Sequence, residues 1–359
     1  MKNMKHRLFA SIVALGMVSA AAYAQNTQEQ KLFLFDHMDF GVTLGTTGIG
    51  FDLAMPATEW ARIRAGFSYM PRVEVPMTFG VQVGNNPAES KTKFDRLSSL
   101  LSSITGNPIK PEVEMLGKPN FWNWKVMVDL YPLKNNRHWH ATVGFFVGPS
   151  KVAEAYNKTE SMASLMAVNI YNNNIYDKLH DMSPREWIKY QQEDPLLQML
   201  FENISKALDV ENDISLDYSI LEEVQAGLNY YGRMGVHLGT YKHDIKDAEG
   251  NVIHKKDETY MMDPDENSMV KANMKVNAFK PYIGVGYDGR LLKNEDRLTV
   301  GFDAGIMMWG GTPHLTTHDG TDLIHDVENV PGKVGDYVSA MEKFKVFPLL
   351  NLRLAYRIF

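Results

Sequence analysis

His314, His318, Asp319, Asp322, His325 and Asp326 form the richest run of metal-ligating side chains in this sequence of 359 residues. Imidazole nitrogens and carboxylate oxygens at such spacing suit zinc or another divalent ion. The run lacks the HExxH order, however, and Asp319-Gly320 is an ordinary turn signal. A solvated polar loop is therefore expected, with no metal and no cofactor assigned; His314, His318, Asp319 and Asp322 are kept as candidate ligands. Covalent catalysis finds little support. The chain has no cysteine, and Ser68 alone among the serines occupies an inward strand position without a nucleophile motif around it. No enzyme is expected.

A second chemically capable set is spread along the chain. In Ala61 to Tyr69 the odd positions are apolar while the even ones are Arg62, Arg64, Gly66 and Ser68, so a strand turns both guanidiniums to one face. Lys125 and Asp129 oppose Trp122, Trp124, Val126, Val128 and Leu130 in the same way. Lys280 and Asp288 oppose Phe279, Ile283, Val285 and Tyr287, and Asp303 opposes Val300 and Phe302. Asp52, Arg353 and Arg357 complete the set. Arginine facing lipid would be costly, whereas a polar lumen accommodates it. A narrow lumen would pair these charges across itself, because an unpaired buried charge is expensive.

The elements that must position them are alternating strands. Phe40–Leu44 and Ile49–Leu53 flank Gly45-Thr46-Thr47-Gly48; Ala61–Tyr69, Trp122–Leu130, Trp139–Val147, Phe279–Asp288, Leu298–Met308 and Leu350–Ile358 follow. Eight strands with three long connections, roughly 70–111, 148–275 and 310–345, predict an all-β transmembrane fold: an eight-stranded antiparallel up-and-down barrel with large extracellular loops containing helices. Met234–Tyr241 and Glu258–Met262 are further extended candidates, separated by the turn Asp247-Ala248-Glu249-Gly250-Asn251, that read as a hairpin extending the barrel wall outward and leave a ten-stranded barrel open. Trp60, Tyr131 and Trp139 beside the short turns, with Tyr69 and Trp122 near the opposite ends, suit two interfacial aromatic belts. Trp309 falls on the inward parity and fits less well, and His138 and His140 flank a turn and are expected at the interface.

Composition and the start of the chain agree with export. A net charge of -6 disfavours a nucleic-acid partner. Residues 1–24 read as a signal peptide, with Lys2, Lys5 and Arg7, an apolar stretch from Leu8 to Ala21, and Ala22-Tyr23-Ala24 before Gln25. Residues 25–359 are then the barrel with its loops, and no later apolar run is long enough to cross a bilayer as a helix.

The long connections carry helical signals. Ser183-Pro184-Arg185-Glu186 is a capping box, and Asp194-Pro195 opens a stripe of Leu197, Leu200, Ile204 and Leu208. Leu165, Val168, Ile175 and Leu179 form another stripe, and Phe94, Leu97, Leu101 and Ile104 a shorter one. Packed on one another they would make a helical cap.

Gly45 to Gly50, Asp129-Leu130-Tyr131-Pro132, Pro281 to Tyr287, Gly301 to Gly305 and Phe344 to Leu350 resemble strand and turn motifs of small outer-membrane β-barrels of Gram-negative bacteria. The likeness is to the outer membrane protein W-like or OmpA/OmpX-like group, over about a third of the mature chain. It implies an outer-membrane location, contact with outer-membrane lipids, and delivery by the barrel assembly machinery through the C-terminal strand. The ending Tyr356-Arg357-Ile358-Phe359 carries one residue more than the aromatic-x-Phe ending of such proteins, which places Phe359 off the lipid-facing parity. The expected role is structural or surface ligand-binding, with an unidentified extracellular ligand and a lumen closed by side chains. The alternative is a narrow channel for small or hydrophobic solutes.

Overall fold

The computed structural model describes residues 36–84, 86–133, 136–193, 219–292, 295–343 and 345–359. The expected signal peptide and the helix expected after Asp194-Pro195 lie outside the described residues.

Along the chain, β1 (Asp39–Gly45), β2 (Gly48–Thr58) and β3 (Ala61–Tyr69) are joined by tight turns. Next come β4 (Val75–Val83), helix α1 (Pro87–Thr105), β5 (Glu112–Pro119), β6 (Trp122–Leu130), β7 (Trp139–Val147) and β8 (Lys151–Asn157). A helical segment follows: α2 (Met162–Asn169), a π-helical stretch (Ile170–Tyr176), α3 (Asp177–His180), α4 (Pro184–Glu193) and α5 (Ser219–Tyr231). Then come β9 (Met234–Tyr241), the short β10 (Ile245–Lys246) and β11 (Val252–His254), β12 (Thr259–Met262) and β13 (Lys271–Lys275). The chain ends with β14 (Phe279–Leu292), β15 (Glu295–Met308), β16 (His314–Thr317), β17 (Val327–Glu328), α6 (Gly332–Lys343) and β18 (Val346–Arg357).

Eight strands close an antiparallel barrel in the order β1-β18-β15-β14-β7-β6-β3-β2. The alternation that identified them is what closes the wall, since it turns one side chain in two toward the lumen and its neighbour outward. Phe40, Val42, Leu44, Ile63, Val126, Val143, Ile283, Val285, Phe302, Leu352 and Leu354 are exposed, while Gly41, Thr43, Arg64, Lys125, Thr142 and Arg353 between them are buried. The ten-stranded alternative is excluded. β9 and β12 pair with each other, outside the barrel.

The long connections are more than loops with a helical cap. They build a second sheet in the order β12-β9-β4-β5-β8-β13-β16, with β17 pairing β9. Its run β4-β5-β8-β13-β16 repeats the barrel's run β3-β6-β7-β14-β15, so each of five barrel strands passes into an outer strand. Backbone hydrogen bonds bridge the joints: Met70 N to Phe121 O at 2.9 Å, Asn120 N to Val152 O at 2.7 Å, Val276 N to Ser150 O at 2.9 Å and Asn277 N to Trp309 O at 3.1 Å. The β1–β2 turn stops short, so the outer sheet rises from one side of the barrel only.

The helical stripes pack on this sheet as well as on one another. Phe94, Leu97, Leu101, Leu165, Val168, Ile175 and Leu179 share a core with Val81, Val83, Val113, Met115, Val236 and Leu238. Glu186 caps Ser183 as expected, its Oε2 accepting from Ser183 N at 3.0 Å and Oγ at 2.6 Å. A separate apolar cluster of Phe121, Met127, Phe146, Tyr282, Met307, Trp309 and Leu349 fills the barrel end beneath the outer sheet. Trp309 belongs to that plug, stacked on Phe347 at 5.4 Å. Its inward parity therefore marks core packing and not an aromatic belt.

Candidate functional site

The barrel interior is a layered charge network. Register sets Arg62 beside Asp129 across β3 and β6, and Gly286 between His140 and Asp303. Near the short-turn end, Arg62 donates to Asp129 Oδ2 from Nε and Nη2 at 3.0 and 2.8 Å, and to Asp288 Oδ2 at 2.6 Å. Arg64 grips Asp303 with two nitrogens at 2.8 and 2.9 Å and reaches Asp129 Oδ1 at 2.7 Å. Such a planar fork matches a carboxylate better than an ammonium would. Thr142 donates to Asp129 Oδ1 at 2.8 Å. A neighbouring layer joins Asp52 to Arg353 Nε at 2.9 Å and Lys125 Nζ at 3.2 Å.

All ten charges expected in the lumen point there or to its mouth. Arg357 is the peripheral one, half-buried with Nε 3.6 Å from Asp39 Oδ1. Lys280 is fully buried, and its Nζ donates to Asn123 Oδ1 at 3.2 Å and Ala278 O at 3.3 Å. Among the described residues no carboxylate reaches it. An eight-stranded barrel has just enough interior for its own side chains, and glycines make room here for the long ones. A Cβ at Gly286 would lie 2.3 Å from His140 Nε2 and 2.7 Å from Asp303 Oδ1.

Two expectations are corrected. Tyr131 is no interfacial aromatic: its hydroxyl donates to Asp288 Oδ2 at 3.3 Å and its ring lies under Arg62. His140 is likewise buried in the network, with Nε2 3.2 Å from Asp303 Oδ1. Both continue the inward parity of Asp129 and Thr142, which was readable from the sequence. Trp60, Tyr69 and Trp139 are exposed, and Trp122 is half-buried against Phe67. His138 is exposed beside Trp139 and stacks on Tyr287.

The outer module holds a feature that sequence reasoning missed, a cleft of about 910 Å³ with Tyr176, Tyr230, Tyr231, Tyr241 and Tyr260 among its lining residues. Its floor is a close crossing of two glycines. A Cβ at Gly232, whose φ is 75°, would sit 2.9 Å from Gly84 Cα, and Gly84 N donates to Arg233 O at 2.8 Å. On one wall Lys93 donates to Tyr230 O at 2.6 Å and lies 4.3 Å from the ring centroid, while Arg233 bridges Asp177 and Asp263. On the other wall Tyr241 stacks on His254 at 4.7 Å, and Tyr260 donates to Asp319 Oδ2 at 2.8 Å. Burial pushes the Tyr241 phenol up to about 12 and the Tyr260 phenol higher. Burial likewise raises the Asp263 carboxyl, against the pull of Arg233. The cleft thus offers neutral phenols, one paired guanidinium and several carboxylates.

The expected metal candidates divide. His314 and Asp322 come together with His325, one ligand atom of each within 4.8 Å of the others. Asp319 belongs to the cleft, and His318 accepts from Lys271 N at 3.4 Å.

No protein-family model and no curated sequence matches the chain. Among solved structures it is similar to CarO2 and CarO of Acinetobacter baumannii, at 12% and 11% identity with TM-scores of 0.33 and 0.32. Coverage is 89% and 90% of this chain and 98% of each of theirs. It is also similar to a major outer membrane protein from Thermus thermophilus, at 12% identity and a TM-score of 0.24, covering 90% of this chain and 98% of that one. A likeness of this size says nothing of what the chain binds.

The cleft escaped the sequence because its tyrosines come from separate segments, and no single window shows them converging. The nearest signal was Tyr230-Tyr231-Gly232, where adjacent aromatics precede a glycine at a helix end.

Proposed function

We propose that this chain is an integral outer-membrane β-barrel whose lumen is closed and whose work is surface ligand binding at the tyrosine-lined cleft. The observation that carries this is the filled interior. Arg64, Arg353, Lys280 and Phe146 are all buried inside the wall, whereas the outer module holds an open cleft. Membrane insertion is supported by the exposed apolar girdle. A nine-residue strand such as β3, tilted as barrel strands are, spans about 23 Å, close to the ~25 Å apolar band of outer-membrane barrels. The exposed Tyr230 ring and the half-buried Tyr176 ring, beside hydrogen-bonding carboxylate and guanidinium groups, suit a saccharide-like ligand with flat apolar faces and many hydroxyls. Reconstitution tests the two halves separately. The purified protein should need detergent or lipid to stay in solution and should give no large steady conductance in a planar bilayer. A glycan array read with wild type and with Tyr230→Ala should show binding that the substitution reduces. Porin-like openings would return the narrow channel as the better reading.

A further inference from the structure

We propose that His314, Asp322 and His325 form a binding site for a divalent transition ion of the zinc type on the outer module. Two imidazoles and one carboxylate are the donor set of open zinc sites, in which a fourth position is left to water or a ligand. Here both imidazoles address a single oxygen: His314 Nδ1 lies 2.6 Å and His325 Nδ1 3.0 Å from Asp322 Oδ2. The other oxygen is already occupied. Oδ1 accepts the backbone N–H groups of Leu315 at 3.2 Å, Ile324 at 3.0 Å and His325 at 3.4 Å. Asp322 therefore divides its two oxygens, one fixing the loop and one turned to the histidines. Supporting contacts of that kind are what orient metal ligands.

The triad is also held by the sheet. His314 opens β16 and pairs with Lys275, and Asp322 is bridged to Thr316. The imidazoles stack at 4.5 Å and 27°. Asp326 braces the turn, its Oδ2 accepting from Asp322 N at 3.0 Å. A tetrahedral ion with bonds of about 2.1 Å sets its ligand atoms about 3.4 Å apart, so the two oxygen–nitrogen distances need open by less than an ångström. Entry is free, since the His314 and His325 side chains are 61% and 41% exposed. Two hydrogen bonds from exposed histidines contribute little to stability by themselves. One cation taking all three atoms requires, besides that small opening, that each neutral ring carry its proton on Nε2 and leave the Nδ1 lone pair free.

The test uses the untagged full chain in detergent, stripped with a chelator and titrated with zinc chloride by calorimetry. Wild type should take up one ion in its tightest class. His325→Ala and Asp322→Asn should each weaken that class about tenfold or more, while His318→Ala leaves it unchanged. Asp322→Asn keeps an Oδ1 acceptor for the loop, and unchanged thermal unfolding of the metal-free variants separates lost ligation from lost structure. Cobalt should give the strong visible bands of a four-coordinate site, absent in the variants. Uptake by a His314→Ala/His325→Ala protein with wild-type stoichiometry and affinity would overturn the proposal, as would no uptake by wild type.

Discussion

Replacing Asp303 with asparagine is the sharpest probe of the lumen. Asp303 accepts both terminal nitrogens of Arg64 at 2.8 and 2.9 Å and faces His140 at 3.2 Å. The Arg64 and Asp303 side chains are 2% and 8% exposed, so water cannot replace the lost charge. Arg64 would retain Asp129 alone, a carboxylate already shared with Arg62. Removing one partner of a buried pair costs about 3–5 kcal/mol, a large share of the ~5–15 kcal/mol that keeps a typical domain folded. By contrast, replacing both Arg64 and Asp303 with apolar residues of similar volume should be far less harmful than the single change. Urea unfolding of vesicle-inserted protein, followed by tryptophan fluorescence, measures both. An Asp303→Asn protein within about 1 kcal/mol of wild type, or single and double changes that simply add, would refute the view that the network is desolvated and mutually dependent.

On the outer face, Val126→Arg or Val143→Arg should cost ~2–4 kcal/mol near the midplane in the same vesicle assay, and silent substitutions would show that this face does not meet lipid. Joint Arg64→Ala and Arg353→Ala replacement should admit ions through a barrel that is otherwise closed, read as a rise in planar-bilayer current; an unchanged baseline would place the closure in the apolar plug instead. Leu228→Ala empties a fully buried position in the outer core and should cost ~2–5 kcal/mol there, speeding proteolysis of the outer module while leaving barrel insertion intact. Excising Met162 to Leu228 should also leave an inserted barrel, but with the apolar face of the outer sheet uncovered and any ligand binding lost.

Strict alternation made the barrel legible: wherever one face meets lipid and the other a polar lumen, every second residue is constrained, as in Ala61 to Tyr69. The lumen charges followed from the same parity. The outer sheet followed only in part: Met234–Tyr241 and Glu258–Met262 were readable as an extended pair, while its other strands obey weaker rules. Val75–Val83 carries Pro76, Lys271–Lys275 reads Lys-Ala-Asn-Met-Lys, and His314–Thr317 has a single large apolar residue. These strands are specified by pairing with neighbours that continue the wall, a nonlocal cause that leaves little trace in a short window. The His314–Asp322–His325 convergence was only half legible. Spacing brought these residues into view, but the choice of Asp322 over Asp319 depends on how the turn folds back on β16.

Because five wall strands continue into the outer sheet with their ladders bridged, the cleft stands on a stem without a tether. A receptor domain on a flexible linker surrenders orientational freedom each time it captures a partner; a cleft held on a stem has surrendered it during folding, so under the proposed binding role each capture would cost less entropy. The same stiffness would fix the direction from which such a partner approaches the cleft. Any pull exerted by a bound partner would pass along the strands into the barrel wall and be borne in shear by their hydrogen bonds.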